Sequence, residues 1–271
     1  MQLLMTFDPA QILSGLFVGF LVGLTGVGGG SLMTPILVFF FGYAPKAAVG
    51  TDLLFAAITK SGGVLVHHGK HRSVDWKIVL LLCIGSLPAA LALIYLMETR
   101  FSKDEALTAA ITYSLGIALI FTSLALFLRN RLTRRRLTDE TATERLTHQE
   151  RFGRWQPVLT ILAGAFLGIL VTLSSVGAGA LGTIALLFLY PRLATVRIVG
   201  TDLAHAIPLT AVAGLGHLHM GNVDVQLLLT LLVGSLPGIY LGSQLSAKVP
   251  EKVLRPILAS LLMVIGLKFV L

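Results

Sequence analysis

Polar residues in this chain come in short clusters, and the apolar runs between them are mostly long enough to cross a bilayer. The runs over 46–66, 74–97, 106–128, 195–215 and 225–245 each exceed or approach the length of about 20 residues that a membrane helix needs, and 157–173 and 253–270 come close to it. Two runs are interrupted. Residues 11–27 lead into Gly28-Gly29-Gly30 and a short arm over 31–41, and 157–173 leads through Ser174-Ser175-Val176-Gly177-Ala178-Gly179-Ala180 into a short arm over 181–189. Eleven helical residues, as in 31–41, reach only about 16 Å, against about 30 Å of hydrocarbon. Each interrupted run is therefore expected to fold as a hairpin, with its non-helical turn covered by protein or facing a watery cavity.

The pattern repeats. Val49-Gly50-Thr51-Asp52-Leu53 returns as Val199-Gly200-Thr201-Asp202-Leu203, Val74-Asp75 as Val223-Asp224, and Gly85-Ser86-Leu87-Pro88 as Gly234-Ser235-Leu236-Pro237. Matches in the same order, together with the two broken runs, indicate an internal duplication. Residues 1–128 form the first transmembrane repeat, 129–156 an Arg-rich cytoplasmic linker, and 157–271 the second transmembrane repeat. Each half holds a hairpin plus three spans, so the two halves are expected to run in opposite directions through the membrane. Basic residues fit that expectation. With the linker inside, Lys70, Arg72 and Lys77 fall inside, the stretch 216–224 falls outside without a Lys or Arg, and Lys248, Lys252 and Arg255 fall inside. The fold class is an all-α integral membrane protein of two inverted-topology repeats.

Composition sharpens this picture. Of the 271 residues 55% are hydrophobic and 13% charged, with mean hydropathy +0.86, whereas a soluble domain carries about 25% charged residues. The formal net charge of +8 comes from Lys and Arg concentrated between apolar runs. That is a topology signal near anionic lipid rather than a nucleic-acid footprint, and nucleic-acid binding is rejected. Cys83 is the single cysteine, so no intrachain disulfide forms. Residues 1–10 lack the basic stretch of a cleavable signal peptide, and the first segment is expected to be retained.

Candidate chemistry concentrates at the breaks. A helix N-terminus offers amides and a partial positive charge to an anion without the desolvation cost of a fixed cation. Gly28, Gly29 and Gly30 precede one short arm, and Gly177 and Gly179 precede the other; Thr25, Ser31, Ser174 and Ser175 add hydroxyls. Close helix packing is the competing use of such glycines. Asp52 and Asp202 lie inside apolar runs, where a carboxylate is costly and faces a cavity or a partner. Lys60 stands two turns beyond Asp52, as a cation for the substrate, a partner of Asp52, or a side chain snorkelling to the interface. His205 shares a helical face with Asp202 and is a candidate to bond or titrate with it. His67, His68 and His71 fall on one side, His217 and His219 in a loop on the other, so no metal site is expected and no cofactor is called for. Pro88 and Pro237 are expected to kink their spans.

Val27-Gly28-Gly29-Gly30, followed by Pro35 and then by Ala47-Ala48-Val49-Gly50-Thr51-Asp52-Leu53-Leu54, resembles the sulfite exporter TauE/SafE family of membrane transporters. The resemblance runs through both halves and leaves out the Arg-rich linker. It implies a multi-span carrier of small sulfur-containing anions, such as sulfite, thiosulfate or an organosulfonate, in the bacterial inner membrane. The second half departs from the pattern: Gly177-Ala178-Gly179-Ala180 dilutes the glycine run, and Ile184 stands where Pro35 would recur. The expected partners are a small anionic substrate and membrane lipid. An alternative keeps the fold and makes Asp52 and Asp202 ligands of a transported cation or metal. An intramembrane enzyme is excluded, because Gly-Ala-Gly-Ala replaces any nucleophile motif at the break.

Overall fold

In the computed structural model, residues 8–25, 30–71, 74–101, 105–138, 153–245 and 251–271 are described, and among them there are ten helices and no strand. They are α1 (Pro9–Thr25), α2 (Gly30–Phe39), α3 (Pro45–His71), α4 (Trp76–Phe101), α5 (Glu105–Thr138), α6 (Gln156–Ser174), α7 (Leu181–Leu189), α8 (Thr195–His219), α9 (Val225–Leu245) and α10 (Glu251–Val270). Five stretches are long and apolar enough to cross a membrane: Trp76–Arg100, Leu107–Leu128, Gln156–Ser174, Thr195–His219 and Val225–Leu245. Their outward faces stay apolar, as at Leu80, Tyr95, Phe121, Phe166 and Leu236, which suits a lipid environment. The chain is a multi-pass membrane protein.

Helix starts follow from local chemistry. Asp8 accepts the Ala10 amide at 2.9 Å ahead of α1. Asp75 accepts from Lys77 at 3.2 Å and from Ile78 at 3.4 Å at the start of α4, and Asp224 accepts from Leu227 at 2.9 Å at the start of α9. The end of each short arm is tied back to the helix before it. Gln11 donates to the Tyr43 hydroxyl at 3.2 Å; Gln156 donates to the Leu189 carbonyl at 2.6 Å, and Thr160 lies 2.8 Å from the Tyr190 hydroxyl. Burial, reinforced by nearby carboxylates, holds both phenols above their ordinary range, so they remain protonated.

Glycine stripes set the packing. On α1, Gly15, Gly19 and Gly23 lie against the backbone of Leu231, Ser235 and Ile239, while Gly234, Gly238 and Gly242 of α9 lie against Ile12, Leu16 and Phe20. Position numbers rise together, so α1 and α9 pack in parallel. The same geometry joins α4 to α6, where Gly85 meets Ile161, and Gly164 and Gly168 meet Leu82 and Ser86. A Cβ at any of these glycines would overlap main-chain atoms, so the stripes permit backbone approach that larger residues forbid. By contrast α3 and α8 run antiparallel, with Gly50 at Asn222 and Gly214 at Leu54, as do α5 and α10, with Ser123 bonded to Ala259 at 2.6 Å and Gly116 beside Phe269. The short arm α2 packs chiefly on the helix that follows it, α3, whereas α7 packs equally on the helices before and after it, α6 and α8.

Several boundaries differ from the sequence expectation. The apolar run ending at Leu128 continues as helix through the arginines to Thr138, because Arg and Leu are strong helix formers and neither Gly nor Pro interrupts them. Likewise α8 continues beyond Leu215 to His219. His217, expected in a loop, is thus a helical residue with 0% exposure, and its Nε2 lies 2.9 Å from the Thr172 carbonyl. Polarity at this end of the helix reads as a loop in sequence because the buried partner that accommodates His217 lies 45 residues away.

Candidate functional site

Ser174 ends α6, and the next turns must reverse the chain within a buried space. Ser175 takes a left-handed conformation at φ 57°, and Gly177 and Gly179 stand at φ 113° and 126°, values a residue with a Cβ resists. Ser174 spends its hydroxyl on the backbone, donating to Leu170 at 2.6 Å and accepting from Val176 at 3.2 Å. The first amides of α7, at Leu181 and Gly182, donate to the Gly177 carbonyl at 3.1 and 3.4 Å. Those amides, expected to be open, are therefore occupied. The amides of Gly177, Ala178, Gly179 and Ala180, one turn earlier, donate no backbone hydrogen bond among the described residues, and all four residues are buried.

Lys60 reaches this turn from α3. Lys60 is 3% exposed, and its ammonium donates to the Ala178 carbonyl at 3.2 Å and interacts with the carboxylates of both Asp52 and Asp202. Asp52, one hydrophobic stretch earlier on α3 and 0% exposed, accepts the Thr34 hydroxyl of α2 at 2.5 Å through Oδ2. Its Oδ1 and the hydroxyl of Ser175 make no hydrogen bond of good geometry among the described residues, although the Ser175 side chain lies close enough to act on the Asp52 carboxyl as a weak hydrogen-bond partner. A buried polar atom without a partner is uncommon and calls for an explanation such as a ligand.

The second carboxyl is held the same way. Asp202 Oδ2 on α8 lies 2.8 Å from Thr183 Oγ1 on α7, and its Oδ1 rests on Gly182, where any Cβ would overlap it. His205, one turn along, turns to α4 instead, with Nε2 2.8 Å from Ser86 Oγ and Nδ1 without a hydrogen-bond partner among the described residues. The Thr preceding each Asp binds across the molecule: Thr51 Oγ1 accepts the Asp224 amide at 3.0 Å, and Thr201 Oγ1 accepts the Asp75 amide at 2.9 Å. Asp75 also pairs with Arg197 at 3.6 Å.

The structure thus gathers Ser175, Gly177, Gly179, Asp52, Lys60, Asp202 and His205 into one buried cluster. Of the first break, Gly28 and Gly29 lie outside the described residues; Thr25 closes α1, and Gly30 and Ser31 open α2, described by backbone alone. Gly23, at the edge of that break, belongs to the packing stripe on α9. Thr34, Thr183 and Ser86 escaped the sequence reading. The two threonines were traceable, since the repeat register that sets Pro35 beside Ile184 also sets Thr34 beside Thr183. His219 pairs with Glu98 at 3.3 Å, away from the cluster. Among the described residues no three His, Cys, Asp or Glu side chains converge on a point that would hold a metal.

Comparison with known proteins agrees with this architecture. The family model described as sulfite exporter TauE/SafE matches residues 11–269. The probable membrane transporter protein YjnA of Bacillus subtilis is 39% identical over 262 residues, covering 96% of this chain and 98% of the relative. A probable membrane transporter protein of Methanocaldococcus jannaschii is 29% identical, over 96% and 94% of the two chains. The probable membrane transporter protein YunE of Bacillus subtilis is 27% identical, over 96% of each. No solved structure gives a significant match.

Proposed function

The chain belongs to the sulfite exporter TauE/SafE family of membrane transporters, and from that premise we propose that it carries a small sulfur-containing anion across the bacterial inner membrane by alternating access, coupled to protons. The observation that carries this reading is the turn between α6 and α7. Four buried amides that donate to no backbone acceptor among the described residues, the Ser175 hydroxyl beside Asp52, and the Lys60 ammonium on Ala178 converge there. Amides at a helix start suit an oxyanion, and Lys60 supplies the positive charge that a bare turn lacks. The seat lies in the second break, with its cation delivered from the first half.

Charge counting supports the coupling. One ammonium faces two carboxylates, so with both ionised the cluster is net negative and repels an anion. Protonation of one carboxyl makes it neutral. The same ammonium argues against a transported cation, which would have to share the cluster with Lys60. Inverted repeats are supported by the packing directions: the corresponding pairs α3 and α8, and α5 and α10, run antiparallel, and the Thr51 and Thr201 bonds are reciprocal.

Counterflow in proteoliposomes tests the reading with sulfite, thiosulfate and an organosulfonate as separate substrates. Exchange of at least one is expected, stimulated by an inward proton gradient. Exchange of none, with cation uptake abolished by Asp52→Asn, would replace the anion reading with the cation one.

A further inference from the structure

Thr183 has too few protons for its contacts. Its Oγ1 lies 2.5 Å from the Gly179 carbonyl, one helical turn back, and 2.8 Å from Asp202 Oδ2. Both are hydrogen-bond distances between oxygens, and a hydroxyl carries one proton. The shorter contact is to a carbonyl, which accepts only, so the Thr183 proton goes there. The contact to Asp202 then needs a second hydrogen, and the carboxyl is the group that can bring it. We infer that Asp202, rather than Asp52, is the protonated carboxyl of the cluster: Oδ2–H donates to Thr183 Oγ1, which donates in turn to Gly179 at the substrate turn.

The surroundings suit a neutral acid. Asp202 is 1% exposed, and its Oδ1 packs on the Cα of Gly182. From α3 the charged group facing it is Lys60; from α7 come Gly182 and Thr183; from α4 comes Ser86, which engages His205 on Asp202's own helix. With Asp202 neutral, the ammonium of Lys60 is balanced by Asp52 alone, and the cluster carries no net charge. The chain from carboxyl to hydroxyl to Gly179 also links the proton site to the turn that seats the anion, so occupancy of one is felt by the other.

This assignment rests on the proton-coupled reading, but infrared spectroscopy tests it without transport. The full chain in lipid at neutral pH is expected to show a protonated carboxylic C=O band. That band should vanish in Asp202→Asn, persist in Asp52→Asn, and move to higher frequency in Thr183→Val, which keeps the side-chain shape and removes the acceptor. Thr183→Val keeps the test decisive should Asp202→Asn fail to fold. A band lost in Asp52→Asn, a band indifferent to both Asp202→Asn and Thr183→Val, or no carboxylic band at all would overturn the assignment. If the infrared signature is as expected while no sulfur anion exchanges, the transport reading falls and the proton assignment stands.

Discussion

Lys60 is the side chain on which the charge balance of the cluster turns, since its ammonium acts on both Asp52 and Asp202. Removing one member of a buried ionic group leaves its partner uncompensated, at about 3–5 kcal/mol. Lys60→Met is therefore expected to lower thermal stability by that order and to abolish anion exchange. Adding Asp52→Asn should restore most of the stability and none of the exchange; recovery of both would make Lys60 a structural counter-ion only. Gly182→Ala probes the second carboxyl, because its Cβ would overlap Asp202 Oδ1. Overpacking of this kind costs about 1–3 kcal/mol, and a melting curve of the purified protein should show it alongside a weakened response to a proton gradient. The charged members of the cluster were legible in the sequence because a charge inside an apolar run is conspicuous. Its hydroxyl members were not. Thr and Ser are ordinary in membrane helices, and only tertiary packing decides which of them turns toward a carboxylate and which, like Ser174 or Thr172, bonds its own helix.

At the scale of elements, the apolar runs predicted every helix, and the bounds of α7 were read as they stand. Breaks defined by Gly, Ser and Pro are local signals, which is why they survive folding. Ends defined by polarity were less secure, and α5 and α8 both ran on where polar residues found helix or partners. The glycines held two uses that sequence could not separate. Structure divides them by contact: Gly15, Gly19, Gly23, Gly234, Gly238 and Gly242 bring α1 against α9, while Gly177 and Gly179 serve the turn through positive φ. Gly238→Leu should force α9 off the Leu16 carbonyl and, because the obstructing atom is backbone, reduce stability by more than the usual overpacking cost of about 3 kcal/mol. Gly221 is the control, since a Cβ there meets nothing within 4 Å and only its φ of 73° resists, at about 1–2 kcal/mol for Ala. Equal melting shifts for the two would deny the stripe its packing role.

Across the whole molecule, the repeated Thr-Asp pairs connect the central cluster to the two ends of the bundle. Each Asp meets a short arm, through Thr34 or Thr183, and each preceding Thr meets the capped start of a long helix of the other half, at Asp224 or Asp75. The repeated Thr-Asp motif was visible in sequence, whereas the bond that each Thr makes across the molecule was not, because residues 51 and 224 are 173 positions apart. If the halves are inverted, as proposed, Asp224 and Asp75 belong to opposite faces and the two bonds would close opposite entrances. Loosening one should bias the carrier toward that side. With Cys83→Ser as background and Ser175→Cys as reporter, Thr51→Val is expected to raise thiol labelling from the face carrying Asp224, and Thr201→Val from the face carrying Asp75. The faces themselves are fixed by labelling Lys70→Cys and His219→Cys from each side, which should react from opposite sides. If both Thr→Val variants raise labelling from the same face, the paired bonds are not gates of an alternating carrier, and the inverted arrangement loses its mechanical meaning even where the packing directions keep it.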